Sequence, residues 1–274
     1  MKKSLYILTA LLLAACMPNL PDSPENLVIE GWIENDASPM VFVTSTISAT
    51  FQEQDITDII AHVATTATVS ITYQGQKYPL TPVINDDYLL RVCYTNHILK
   101  GTIGGTYQLD VDWKGMHAEA ITSIPSPGCV DSITVERHPH DNKLYIIKAH
   151  IQPAPESRYY RFFSMTVGKD STYGVSYTAP FDSKFHADEM IAISRSSQNP
   201  IMNSGYYHNL NDSVRFKLAS MDASAYDFWN KFKENNVFSH AAIIPYSSNL
   251  KGNITGGLGY FFGYGISSYG IRIE

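Results

Sequence analysis

Cysteine is scarce in this chain, three in 274 residues, which excludes a disulfide-rich framework and a structural zinc site built from thiolates alone. Runs of lysine and arginine are missing as well, and the formal net charge is −6. An acidic chain without a concentrated basic footprint is not expected to bind nucleic acid or anionic lipid surfaces. No apolar run is long enough to span a bilayer as a helix. Catalytic signatures are lacking too. Gly265-Ile266-Ser267 fails as an esterase elbow at Tyr269, and His-Glu-x-x-His does not occur. Gly257-Leu258-Gly259 meets Phe262 where a dinucleotide fingerprint needs a small residue. With no nucleophile, base or cofactor cradle in view, no catalytic residue and no cofactor are assigned. The expectation is a protein that is not an enzyme.

What is present begins at the N-terminus. Met1-Lys2-Lys3, an apolar segment from Leu5 to Leu13, and the junction Leu13-Ala14-Ala15-Cys16 form a secretory signal over residues 1–15. The cysteine at the junction makes it resemble a bacterial lipoprotein signal, with Cys16 acylated and left as the first residue. Several acyl chains on one residue anchor a protein firmly, so the membrane is an expected partner through Cys16. Losing Lys2 and Lys3 leaves 18 basic against 26 acidic side chains, net −8. Residues 16–26 carry Pro18, Pro21 and Pro24 and read as an extended tether. Cys93 and Cys129 then remain. In an oxidising compartment they form a disulfide or stay as two buried thiols, and spacing alone does not choose.

Residues 27–126 show short β-type runs: Leu27 to Ile33, Met40 to Ser45, Thr68 to Tyr73, Lys77 to Leu80, Tyr88 to Tyr94, Thr106 to Asp112 and Met116 to Thr122. Gln74-Gly75-Gln76 and Lys114-Gly115 mark hairpin turns, and Gln54 to Val63 has the spacing of a short helix. About seven strands at this spacing predict an immunoglobulin-like β-sandwich. Pro125-Ser126-Pro127-Gly128 marks a boundary. Residues 127–274 follow as a second antiparallel β domain, with strands at Ser132 to Arg137, Leu144 to Ile151, Tyr159 to Val167 and Val214 to Ala219. One amphipathic helix is predicted at about 222–235, since Ala225, Phe228, Trp229 and Phe232 fall on one face and Asp222 or Ser220 can cap it. The fold class is therefore all-β with a single helix.

Phe228-Trp229 is followed by Pro245, Ser248-Asn249 and the segment GNITGGLGYFFGYG at 252–265. LVIEGWIENDASPMVFVTST stands near the mature start and GTYQLDVDW before the proline boundary. Together these make nearly the whole mature chain resemble the Bacteroidota lipoprotein family of domain of unknown function 4249. The resemblance implies an outer-membrane lipoprotein that accompanies a TonB-dependent transporter in substrate capture or uptake, and it supplies no catalytic residues. A cell-surface adhesion or structural module is the alternative, and a hydrolase with an unrecognised site the third. The segment after Cys16 has no acidic residue before Asp22, so surface and periplasmic faces both stay open.

Tyr260, Phe261, Phe262 and Tyr264 interleave with glycines. Such a strand is either core or a contact surface toward a ligand or partner. For metals, the weak candidates are His138 with His140, and the group His186, Asp188 and Glu189. Both sit in turn-like surroundings, and no metal is assigned. Asp131-Ser132-Ile133, Asp170-Ser171-Thr172 and Asp212-Ser213-Val214 resemble glycan acceptor triplets of envelope proteins, though aspartate beside serine is also ordinary turn chemistry.

Overall fold

The computed structural model describes residues 25–46, 60, 62–176, 178–186, 188–194, 206–238 and 250–274, with side chains to 233 in the segment that ends at 238. The signal segment, Cys16, most of the tether and residues 54–59 and 61 of the helix expected over Gln54 to Val63 lie outside these residues.

Alternating apolar residues form the first seven strands: β1 (Leu27–Glu34), β2 (Met40–Ser45), β3 (Thr68–Tyr73), β4 (Gln76–Ile84), β5 (Val92–Thr95), β6 (Thr106–Trp113) and β7 (Met116–Ser123). Gln74 and Gly75 have φ of 51° and 77°, Lys114 and Gly115 of 50° and 79°, which is the turn geometry that matches strand twist in a two-residue hairpin. β4 pairs with β3 through Leu80 and with β5 from Thr81 onward, so it turns the corner between two layers. Leu27, Ile29, Val41, Ile71, Leu109 and Phe261 fill the space between them. Tyr88 to Arg91 departs from the expected strand. Asn85 Oδ1 accepts from the Asp87 amide at 3.0 Å and Arg91 takes φ 44°, so local turn bonding prevails, while the Tyr88 ring packs on Trp32 and Phe42.

The expected boundary at 125–128 lies in the connection from β7 to β8 (Cys129–Arg137). The second region continues with β9 (Leu144–Gln152) and β10 (Tyr159–Thr166), the short strands β11 (Gly174–Val175), β12 (Phe181–Asp182), β13 (Ile191–Ile193) and β14 (His208–Asn209), and then β15 (Ser213–Met221). One layer is β8, β9, β13 and β14; the facing layer holds β10 and β15. Ile147, Phe162, Phe216 and Leu218 lie between them. The helix α1 (Ala223–Phe238) starts where predicted, with Asp222 Oδ1 accepting from the Ala225 amide at 2.8 Å.

A single strand, β16 (Gly257–Arg272), binds the two regions together. Its residues 257–264 run parallel to β1 and its residues 265–272 antiparallel to β15. Glycines permit this course by letting backbones approach. A Cβ on Gly259 would sit 1.8 Å from the Ile29 carbonyl oxygen, and this residue has φ +103°. The result is an all-β chain with a single helix among the described residues, none of whose helices is long and apolar enough to cross a membrane.

Candidate functional site

β16 presents alternate residues to opposite sides. Phe261 enters the first core, whereas Tyr260, Phe262 and Tyr264 lie beneath α1 with Phe228 and Trp229. All four aromatics are buried, Tyr260 the most exposed at 6%. The contact-surface alternative is thereby corrected: these side chains are core, because α1 covers one face of the strand and the first sandwich the other. Trp229 Nε1–H donates to Tyr264 Oη at 2.8 Å. Burial pushes both the Tyr260 and Tyr264 phenols well up from their ordinary values.

Beside them lies Arg161 on β10, only 3% exposed. Its guanidinium stands 4.3 Å from the Trp229 ring and 5.2 Å from that of Phe163, while Nε and Nη1 make no hydrogen bond. Burial lowers its pKa to about 10. Aromatic faces thus replace a carboxylate as its surroundings. Nearby, Lys217 of β15 bonds Glu34 of β1 at 2.6 Å and lies 4.6 Å over Tyr173, an ion pair joining the two lobes.

The remaining sequence candidates scatter. Cys93 is buried with its thiol directed at the Val83 carbonyl (3.9 Å), and burial pushes that thiol up. Cys129 is exposed on another sheet, with Sγ 3.5 Å from Gln152 Oε1. Both are free, so the disulfide expectation is corrected: strands β5 and β8 belong to separate sheets. His138 accepts the His140 amide through Nδ1 at 3.2 Å in a turn. His186 Nδ1 meets Glu189 Oε2 at 2.5 Å, and Asp188 is exposed beside them. Neither set forms a three-donor group among the described residues. Ser132, Ser171 and Ser213 are all exposed.

Accessible recognition features lie on the first sandwich. At the end of the strands that carries the β3–β4 turn, Tyr73, Gln74 and residues 102–106 line an open cleft of about 460 Å³. Tyr73 stacks on Tyr107 at 4.7 Å, and Tyr107 Oη accepts the Thr102 amide at 2.7 Å, which fixes the loop floor. An aromatic plane beside amides and hydroxyls offers stacking and hydrogen bonding. Among the described residues, no carboxylate, imidazole, amine or thiol lines it. The opposite end of the same strands carries the Lys114-Gly115 turn, where Lys114 Nζ lies 3.7 Å from Glu25 Oε1 at the start of the described chain.

On the outer side of the β6–β7 hairpin, Asp110, His117 and Glu119 place donor atoms within 4.8 Å of one another. Sequence reasoning missed this group. Its signal was present: counting outward from Lys114-Gly115 pairs Asp112 with His117 and Asp110 with Glu119.

Against known families, the chain matches the model described as domain of unknown function (DUF4249) over residues 16–269. No curated protein matches it.

Proposed function

We propose, because the chain belongs to the family of domain of unknown function 4249, that it is a non-enzymatic outer-membrane lipoprotein assisting a TonB-dependent transporter in substrate capture or uptake. Lipidation at Cys16 anchors it, a reading supported by the signal-like residues 1–15 and by a family match that starts at residue 16. The transporter enters through the family resemblance alone. The observation that carries the binding role is the opposition of two ends on one sandwich. The chain emerges at Glu25 beside the Lys114-Gly115 turn, and the cleft lies at the far end of the strands, roughly 20 Å away at strand rise. A tether of about ten residues reaches at most about 35 Å. The anchor thus keeps the body close to the bilayer, with the cleft at the end of the strands remote from Glu25.

Affinity purification of the full chain from detergent-solubilised envelopes tests the proposal. The expected result is co-purification of an outer-membrane barrel, strongly reduced by Ile103→Asp at the cleft and unaffected by Leu210→Asp on the second lobe. Recovery of no barrel would overturn the transporter role. Protease treatment of intact cells then separates the surface face from the periplasmic one.

A further inference from the structure

We infer that the outer face of the β6–β7 hairpin is a binding site for a first-row divalent cation, held by Asp110, His117 and Glu119. The register leaves these residues no alternative placement. Leu109, Val111, Ala118 and Ala120 are buried in the first core, and a slip by one residue would expose all of them. Their outward neighbours are therefore fixed in pairs, Asp110 opposite Glu119 and Asp112 opposite His117. Like charges directly opposed across an antiparallel ladder repel. No ion pair among the described residues joins Asp110 or Glu119 to a lysine or arginine. Lys114, two positions beyond Asp112, pairs instead with Glu25.

The histidine turns a repelling pair into a ligand set. His117 Nδ1 lies 2.9 Å from Asp112 Oδ1, and with its proton there, the lone pair resides on Nε2. A carboxylate that fixes the tautomer of an imidazole ligand is the usual outer support of a metal-bound histidine. One imidazole and two carboxylates suit Zn²⁺ or Mn²⁺, whereas Ca²⁺ favours six to eight oxygens. Three protein donors leave further coordination positions to water. The face is exposed, so an ion reaches it without any opening of the fold.

Calorimetric titration of the metal-stripped full chain in detergent with ZnCl₂ and MnCl₂ tests the site. One saturable site per chain is expected, weakened at least about tenfold by His117→Gln or by Glu119→Gln and unchanged by His186→Gln. At equal concentration Zn²⁺ should raise the melting temperature of the native chain more than that of Glu119→Gln. The metal-free melt of Glu119→Gln should match or exceed the native one, because a repulsion is gone; that separates loss of a ligand from loss of the fold. Absence of a saturable site, affinity unchanged in both ligand variants, or Ca²⁺ binding as tightly as Zn²⁺ would overturn the assignment.

Discussion

Alanine at Gly263 should destabilise the fold, while alanine at Gly270 on the same strand should not. A Cβ on Gly263 would stand 2.4 Å from the Ser123 carbonyl oxygen, 2.7 Å from its carbon and 3.1 Å from the Ile124 nitrogen. All three are backbone atoms, so relief requires β16 and the end of β7 to separate by roughly 1 Å to reach ordinary contact. That shift also strains the bond from the Gly263 amide to Thr122 Oγ1, now 2.7 Å. Overpacking of this kind costs about 1–3 kcal/mol, offset by about 0.4–1 kcal/mol from a stiffer unfolded chain. The net loss is about 1–2 kcal/mol, a fall in melting temperature of about 2–8 °C for a chain of this size. At Gly270 the nearest atom is the Val214 carbonyl oxygen at 3.8 Å, leaving only the favourable unfolded-state term. Thermal melts followed by circular dichroism compare the two variants with the native chain. Equal melting temperatures for Gly263→Ala and Gly270→Ala would refute the argument that backbone approach dictates the glycines of β16.

Two further outcomes follow from individual contacts. Arg158 hydrogen-bonds Asp182 through Nε at 2.8 Å and through Nη2, which holds the Asp182 carboxyl below the usual carboxylate range, with the Lys184 amide helping. The folded state favours the ionised form, so this stabilisation is complete above the unfolded pKa of about 4 and is lost as pH falls through the lower folded value. Urea midpoints of the native chain should exceed those of Asp182→Asn at neutral pH and converge with them in acid; a gap independent of pH would refute the linkage. For the thiols, maleimide should label Cys129 in the native protein and both Cys129 and Cys93 after denaturation without reductant. Failure of both to react in denatured, unreduced chain would establish a disulfide instead.

Features governed by near neighbours were legible in the sequence. Gln74-Gly75 and Lys114-Gly115 announce hairpins because both residues of each pair adopt positive φ, and Asp222 ahead of Ala225, Phe228 and Trp229 announces a capped helix with one buried face. What failed depended on distant partners. The glycines and aromatics of 252–265 read as a strand, but its sixteen-residue course and its close approach to β1 and β7 cannot be seen locally. β11, β12 and β14 have two residues each, too few for any period. Arg161 stands where the alternation Tyr160, Phe162 predicts a solvated side chain, and only coverage by α1 buries it. The Asp110, His117 and Glu119 group was within reach, because turn position and parity suffice to place it.

β16 also dictates the order in which this chain can be finished. Asn35 and Ile266, bonded at 2.6 Å, are 231 positions apart, so the seam closes only once the chain extends past residue 266. Hairpins such as β6–β7 can form early, but contacts this remote close slowly. Until they do, β1 and β15 each present an open edge, the kind of surface that invites association between chains. A chain ending before Gly257 would not merely lose a tail. It would leave both lobes unfinished together, making residues 257–272 the ones that commit both lobes to the native state.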